Sequence, residues 1–151
     1  MIFSILLKSC FLLEQKSRIA GKRMIIGTGI DIVDIDRIKK IIKKWDLHFL
    51  NKVYTLDEKY YCEQKKDSCF QSFAGYFAAK EAWVKAIGTG MKNIKWKEIE
   101  IKKDPLGRPF IKLYGLALAT AISKKISNTH LSISHNKQLA IAQVIIESQI
   151  L

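Results

Sequence analysis

The sequence predicts an α+β fold in which a largely antiparallel sheet packs against a long buried helix and shorter helices. Two alternating apolar runs, HLSISHN and QLAIAQVIIE, close the chain with only a short polar turn between them, a pattern typical of an antiparallel hairpin. A second pair of runs, KEIEIKKD and FIKLY, flanks a PLGRP turn and predicts another hairpin. Strands and helices therefore do not alternate in the regular order of a parallel sheet.

The chain length of 151 residues suits one domain. Residues 1–23 hold a short apolar run broken by Lys8 and then become basic, whereas the regular pattern begins at Met24. We expect residues 1–23 to be a disordered extension or the product of an upstream start, and residues 24–151 to form the domain. A secretory signal is the weaker alternative, because no small-residue cleavage site precedes Met24. No apolar run reaches the ~20 residues that span a bilayer.

Charge and cysteine content narrow the choice of partners and compartment. The formal net charge is +12, which favours an anionic partner such as nucleic acid, a membrane surface, phosphate groups or an acidic protein. The three cysteines form no C-x-x-C pair, so neither a disulfide framework nor a zinc site is indicated. A reducing cytoplasm fits this composition best.

The first half of the domain begins with a strand and continues with helices. From Met24, β-branched residues alternate with Gly27, Gly29 and Asp31, which predicts a strand with one glycine-lined side. Residues 34–44 have isoleucines at helical spacing and lysines on the other face. Residues 55–64 begin with Thr55 followed three residues later by Glu58, a capping box that predicts a short helix.

A longer helix is predicted from about residue 68 to 87, ending at Gly88, and another over residues 115–126. The longer helix is apolar almost all round, so we expect it to be buried and its charges to be paired. Glu81 and Lys85 lie on its alanine-rich flank, where a surface i,i+4 pair is the simplest explanation. Lys80 points into the bulky apolar arc and could still extend outward to solvent.

Two further polar residues lie in strand patterns. Asp31 follows the two glycines, whose missing side chains allow close approach, and its carboxylate could hold a hard cation. It could instead cap the next helix, a role that Asp34 fills equally well. His135 ends the run SISH and is more often a hydrogen-bonded structural residue than a catalyst in such a strand. No serine or cysteine has the context of a covalent hydrolase.

Four motifs together resemble the holo-[acyl-carrier-protein] synthases, the bacterial 4′-phosphopantetheinyl transferases of fatty-acid synthesis. They are GTGIDIVDIDRI at 27–38, FAAKEAWVKAIGTG at 77–90, DPLGRP at 104–109 and SISH at 132–135. The resemblance extends from Met24 to about residue 147, in the order and spacing of the family. It implies the fold of that family and transfer of phosphopantetheine from coenzyme A to a serine of apo acyl carrier protein, releasing adenosine 3′,5′-bisphosphate.

The resemblance also implies roles for the charged residues. Asp31 and Glu81 match the family's Mg²⁺ ligands, and a divalent ion held by carboxylates would neutralise charge on the pyrophosphate. We expect Lys85 to contact phosphate, with Lys80 the second choice. Either a metal-bound water or Glu81 would accept the serine proton, and the sequence leaves both open.

The nucleotide end of coenzyme A is assigned in the same way. By similarity, His135 would lie near the 3′-phosphate, and the backbone of Gly107, Arg108 and Pro109 would line the adenine pocket. One position departs from the family pattern: Tyr76 stands where members commonly have arginine, so a phosphate contact is lost or moved.

Partners follow from the resemblance and from charge. Arg37 and the lysines of the first helix form a basic face suited to acidic acyl carrier proteins, and Arg37 and Phe77 would touch the carrier. Family members are trimers with active sites between subunits, so we expect a homotrimer in the cytoplasm that binds neither nucleic acid nor membrane. The alternatives are an RNA-binding protein that stacks bases on Trp45, Trp96 and Tyr114, or a catalytically inactive homologue.

Overall fold

A computed structural model describes residues 22–149, so the expectation for the extension falls almost wholly outside the described residues. The elements in chain order are β1 (Arg23–Asp34), α1 (Ile35–Val53), α2 (Leu56–Glu63), α3 (Cys69–Ile87), β2 (Ile99–Lys103), β3 (Pro109–Leu113), α4 (Gly115–Ser123), β4 (Ile126–His135) and β5 (Leu139–Gln149). Short 3₁₀ turns at Lys66–Ser68 and Trp96–Glu98 precede α3 and β2.

The sheet is antiparallel, as predicted. Strand β5 lies between β1 and β4, and β2 pairs only with β3 to form a separate hairpin. In the three-stranded sheet, Asp31 of β1 and Ile133 of β4 both stand opposite Ala142 of β5. The mixture of this sheet with helices on one face confirms the predicted α+β fold.

Helix α3 is the centre of the core. Its small residues Ala78, Ala79 and Ala82 are fully buried, and the helix packs on β1 and β5. The contact is closest at two glycines: a Cβ added to Gly27 would overlap the carbonyl oxygen of Ala86, and one added to Gly29 would overlap that of Ala82. Glycine is therefore required in β1 because the backbone of α3 occupies the space of a side chain.

Two helix boundaries differ from the prediction. Helix α1 continues to Val53 rather than ending near residue 44, because Leu50 and Val53 extend the buried apolar face beyond the basic stretch. Helix α4 ends at Ser123, and Ile126 already belongs to β4. Lys125, with φ of 55°, separates the two elements.

The face of the sheet that points away from α3 is apolar and exposed. Ile30 and Ile32 of β1 are 54% and 60% exposed. Ile32 lies beside Ile141 of β5, and Asp34 lies beside Leu139 of the same strand. Ile141 and Leu139 are also partly exposed. Among the described helices, none combines the length and hydrophobicity that crossing a membrane requires.

Candidate functional site

Asp31 and Glu81 lie at one depression of about 250 Å³ between β1, α1 and α3. Asp31 is on the face of β1 that packs against α3, two residues beyond the close contact at Gly29. Because the glycines let α3 approach the strand backbone, the carboxylate of the strand and that of the helix open into the same space. The structure thus brings together the two acidic residues that the sequence predicts to act together.

Two carboxylates and one ammonium group set the charge of the depression. Desolvation raises the pKa of the Glu81 carboxyl, the nearby charge of Asp31 raises it further, and Lys85 opposes both effects. Lys85 Nζ donates to Asp31 Oδ1 at 2.8 Å and to the carbonyl oxygen of Ile30 at 3.0 Å. Lys85 thus pairs with the strand carboxylate rather than with Glu81, so the simple i,i+4 surface pair is wrong.

The helix cap is Asp34, not Asp31. Asp34 Oδ1 accepts the backbone N–H of Arg37 at 2.8 Å, which satisfies a donor in the first turn of α1. Asp31 is therefore not required for capping, and its side chain, only 14% exposed, points to the depression.

Carboxylate oxygens are the only metal-ligand atoms that the two acidic residues offer. Among the side chains described in residues 22–45 and 47–149, no group of three or more histidine, cysteine or acidic residues could enclose a metal ion. Two carboxylates suit Mg²⁺, which is commonly bound through one or two carboxylates and completes its octahedron with waters and substrate phosphates. They do not suit a closed structural zinc site.

Arg37 and Phe77, the predicted carrier-protein contacts, line the same depression. Arg37 belongs to the first turn of α1, and Phe77 lies one helical turn before Glu81 in α3. Phe77 also packs against Trp96 at a centroid distance of 5.2 Å. Trp96 is thus part of a side-chain cluster, which weakens the alternative that it stacks on RNA bases.

A second cavity, of about 430 Å³, is lined by most of the residues predicted to bind the nucleotide end of coenzyme A. Gly107, Pro109 and His135 line it together, although they come from the β2–β3 turn, the start of β3 and the end of β4. The side chain of Arg108 turns away, since its Nε donates to Asp104 Oδ2 at 3.0 Å and it lines an adjoining depression. A contact through the backbone of Arg108 stays a prediction.

The two cavities lie on opposite sides of α3. Phe77 and Glu81 face the first, whereas Ser72, Gly75 and Tyr76 line the second. At about 100° per residue, these two groups of side chains point away from each other. The two halves of the predicted site are therefore separated within one chain.

The predicted contact between Lys80 and coenzyme A is wrong. Lys80 has no exposed surface, and its Nζ donates to Glu58 Oε2 at 2.8 Å and to the carbonyl oxygens of Val53 at 3.0 Å and Trp96 at 3.1 Å. Burial lowers its pKa, which the charge of Glu58 opposes. All three N–H donors of the Lys80 ammonium group are thus already used. Lys80 joins α3 to the end of α1, to α2 and to the 3₁₀ turn before β2.

Sequence reasoning missed three residues that line the second cavity. Tyr61 of α2 stacks on Tyr76 with ring centroids 5.6 Å apart and planes at 14°. Lys65 and Lys103 place their ammonium groups 5.0 and 5.1 Å from the centre of the Tyr61 ring. Lys65 follows Tyr61 by four residues, but Lys103 is distant in sequence and none of the three belongs to the four family motifs, so only the fold identifies them.

Comparison with known proteins gives one consistent result. The family model for the 4′-phosphopantetheinyl transferase superfamily matches residues 27–144. The "Holo-[acyl-carrier-protein] synthase" of Alkaliphilus oremlandii is 48% identical over 122 residues, covering 81% of this chain and 98% of that protein. The protein of the same name from Halothermothrix orenii is 47% identical, with 81% and 97% covered.

Solved structures show the same likeness. A holo-(acyl-carrier-protein) synthase from Bacillus anthracis in complex with CoA (3′,5′-ADP) is 37% identical, with 83% of this chain and 99% of that chain covered and a TM-score of 0.69. The Plasmodium yoelii acyl carrier protein synthase with ADP bound is 34% identical, with 86% and 100% covered and a TM-score of 0.75.

Proposed function

Because the chain belongs to the holo-[acyl-carrier-protein] synthases of the 4′-phosphopantetheinyl transferase superfamily, we propose that the protein modifies apo acyl carrier protein with a Mg²⁺ ion bound by Asp31 and Glu81. The serine hydroxyl of the carrier loses its proton, to Glu81 or to a water at this site, and its oxygen forms a bond to the phosphorus of coenzyme A that bears the pantetheine arm. The pyrophosphate P–O bond breaks, and adenosine 3′,5′-bisphosphate leaves. By the same resemblance, we assign the activity to fatty-acid biosynthesis.

The convergence of Asp31 and Glu81 on one depression is the observation that carries this proposal. Burial and, after it, the nearby charge of Asp31 raise the pKa of the Glu81 carboxyl, and a bound cation would relieve the repulsion between the two carboxylates. Mg²⁺ held there would supply charge neutralisation on the pyrophosphate oxygens. The donor set fits, because both ligands are hard oxygens and leave room for phosphate.

Lys85 supplies the positive charge of the protein itself at this position. Its side chain is 52% exposed although it pairs with Asp31, so the ammonium group can reach a ligand without first being uncovered. Donors that are already oriented stabilise charge developing on phosphoryl oxygens. We therefore propose that Lys85 contacts the pyrophosphate and that Glu81, Asp31 and Lys85 act together.

The second cavity would hold the nucleotide end of coenzyme A. Gly107, Pro109 and His135 line it, as the family resemblance predicts. Since this cavity and the carboxylate depression are on opposite sides of α3, one coenzyme A molecule would use the carboxylates of one chain and the nucleotide cavity of another.

A homotrimer would provide that arrangement. The outer face of the sheet exposes Ile30, Ile32 and Ile141, and a contiguous apolar surface of this kind favours burial between protein chains. Asp31 lies on the opposite face of β1, but β1 is the edge strand of the sheet and Ile32 also lines the carboxylate depression, so association through the outer face would bring a neighbouring chain to the rim of that depression.

The acyl carrier protein would approach over α1. Arg37 lines the depression, and the adjoining positions Lys40, Lys43 and Lys44 are exposed. Complementary charge accelerates the encounter with an acidic partner. We expect this encounter in the cytoplasm, where the free thiols Cys62 and Cys69 would stay reduced.

The test is incubation with apo acyl carrier protein, coenzyme A and Mg²⁺, followed by intact-mass measurement. The proposal predicts a gain of about 340 Da on the carrier serine that is lost with EDTA and is strongly reduced, at the same Mg²⁺ concentration, with Glu81→Gln. The exposed Glu63 provides a matched control, since Glu63→Gln should leave the gain unchanged. A carrier whose mass does not change with the wild-type enzyme would indicate an inactive homologue, and a gain unaffected by EDTA would exclude the metal role.

A further inference from the structure

The second cavity contains basic side chains that no motif accounts for. Lys65, Lys103 and His135 line it, and its lining residues include no carboxylate. Among the side chains that the structure describes, which exclude that of Asp46, neither lysine has an acidic partner within ion-pair distance. The cavity therefore offers two ammonium groups whose charge is not neutralised by the described part of the chain.

Both ammonium groups are positioned by the same aromatic ring. Lys65 follows α2 and Lys103 ends β2, yet their Nζ atoms lie 5.0 and 5.1 Å from the centroid of Tyr61. A lysine over the face of a tyrosine is attracted by the ring quadrupole, which limits the otherwise large freedom of its side chain. Tyr61 thus orients two cations from separate segments.

Tyr76 supports that ring from the core side. It is 4% exposed and stacks on Tyr61 with an interplanar angle of 14°. Tyr76 occupies the position at which the related family commonly has arginine. An arginine there would offer a guanidinium to the cavity, whereas Tyr76, which also lines the cavity, offers no positive charge and stacks on Tyr61.

We propose that Lys65 and Lys103, held by the Tyr61–Tyr76 stack, bind the 3′-phosphate of coenzyme A and replace the missing guanidinium. This inference rests on the proposed function, since it names the groups that recognise one end of that substrate. Three polar residues, Ser68, Gln71 and Ser72, also line the cavity and add hydrogen-bonding groups to it. A phosphate monoester carries up to two negative charges, and two ammonium groups match that charge.

The pair of nucleotides coenzyme A and 3′-dephospho-coenzyme A tests the proposal, because they differ only in the 3′-phosphate. We expect the wild-type protein to bind coenzyme A about 100-fold more tightly in calorimetric titration, about tenfold from each lysine. Lys65→Met and Lys103→Met should each weaken binding of coenzyme A about tenfold and leave binding of the dephosphorylated form within about twofold. In the double variant the preference should disappear.

Lys112 provides a matched control. Its Nζ lies 5.2 Å from the centre of the Tyr114 ring, so it makes the same kind of contact, but it does not line the cavity. Lys112→Met should leave the preference for coenzyme A unchanged. An equal loss for both nucleotides in the Lys65 and Lys103 variants would assign these residues to the pyrophosphate and overturn the proposal, as would variants that behave like Lys112→Met.

Tyr61 acts as a positioning residue, and conservative replacement tests that role. Tyr61→Phe keeps the ring face and should keep the preference for coenzyme A over 3′-dephospho-coenzyme A. Tyr61→Leu removes the ring and should reduce that preference, in the same direction as the double lysine variant. Any direct contact of Tyr61 with adenine affects both nucleotides equally and leaves their ratio unchanged. A preference retained in Tyr61→Leu would contradict the positioning role.

Failure of this inference can be told from failure of the proposed function. If the wild-type protein does not modify apo carrier protein with coenzyme A, the proposed function fails. If it does, but the wild-type protein shows no preference between the two nucleotides, only the assignment of Lys65 and Lys103 is overturned.

Discussion

Lys85 Nζ lies 2.8 Å from Asp31 Oδ1, so a cation from helix α3 contacts a carboxylate from strand β1 across the close helix–strand contact. Lys85 remains 52% exposed, whereas Asp31 is 14% exposed. An ion pair this open to solvent contributes little to folding, about 1 kcal/mol or less. Its position beside Glu81 therefore has more consequence for ligand binding than for stability.

Lys85→Met should slow transfer without unfolding the protein. We expect the turnover number to fall by about 10²-fold, as when one stabilising donor is removed from a charged transition state. The free energy of unfolding should change by less than about 1 kcal/mol. The exposed Lys92 gives a control: Lys92→Met should retain full activity in the same steady-state assay. Loss of both activity and stability in Lys85→Met would assign the residue to folding.

Gly29→Ala should separate β1 from α3. The added Cβ would overlap the carbonyl oxygen of Ala82 and lie 2.6 Å from the backbone nitrogen of Ala86. Because backbone cannot move aside as a side chain can, we expect a loss of about 3 kcal/mol in chemical denaturation. At Gly75 the added Cβ would meet only a methyl of Ile133 at 3.0 Å, so Gly75→Ala should cost less. Equal stabilities for the two variants would contradict the close approach.

Lys80 and Glu58 should be coupled in stability. Both are completely buried and 2.8 Å apart, so removal of either leaves a buried charge without its partner. Lys80→Met and Glu58→Gln should each lower the free energy of unfolding by about 3–5 kcal/mol, and the double variant by less than their sum. A double-mutant cycle in guanidinium chloride measures the difference. Additive losses, with a weaker affinity for coenzyme A as the main effect of Lys80→Met, would restore Lys80 to the substrate site.

Ile32→Glu should disrupt subunit association. Ile32 is 60% exposed beside Ile141 on the outer sheet face, where a buried charge in a trimer would be costly. Light scattering after size-exclusion chromatography should give a trimer for the wild type and a monomer with little activity for the variant. Ile122 of α4 is 67% exposed elsewhere, and Ile122→Glu should stay trimeric. A wild-type monomer with full activity would contradict the shared site.

The fold was predictable from sequence where its signals are local. Thr55 and Glu58 form the expected capping box, Gly88 ends α3 with φ of 70°, and the two hairpins follow their turns. Helix α1 was predicted too short because the lysines that interrupt its apolar pattern lie on the exposed face. Burial of Leu50 and Val53 depends on α3, which is distant in sequence.

The site was predictable only in part, for a related reason. The glycines before Asp31 indicate that another backbone or a ligand approaches this strand closely. The apolar surroundings of Glu81 indicate that its charge has a special role. The structure brings Asp31 and Glu81 to one depression. The partner of Lys80 in α3 is Glu58, which belongs to the preceding helix α2. The geometry of α3 alone therefore could not show whether Lys80 contacts substrate or forms a buried ion pair. Lys65 lies four residues after Tyr61, whereas Lys103 reaches the same ring only because α2 and β2 both pack beside α3.

The dependence of the transfer rate on Mg²⁺ concentration, compared among wild type, Asp31→Asn and Glu81→Gln, tests the shared metal site most directly. Each substitution removes one carboxylate ligand, so we expect the Mg²⁺ concentration for half-maximal rate to rise by about 10- to 100-fold while the folded protein stays intact. The same Mg²⁺ requirement in all three proteins would contradict the account, because neither carboxylate would then hold the ion.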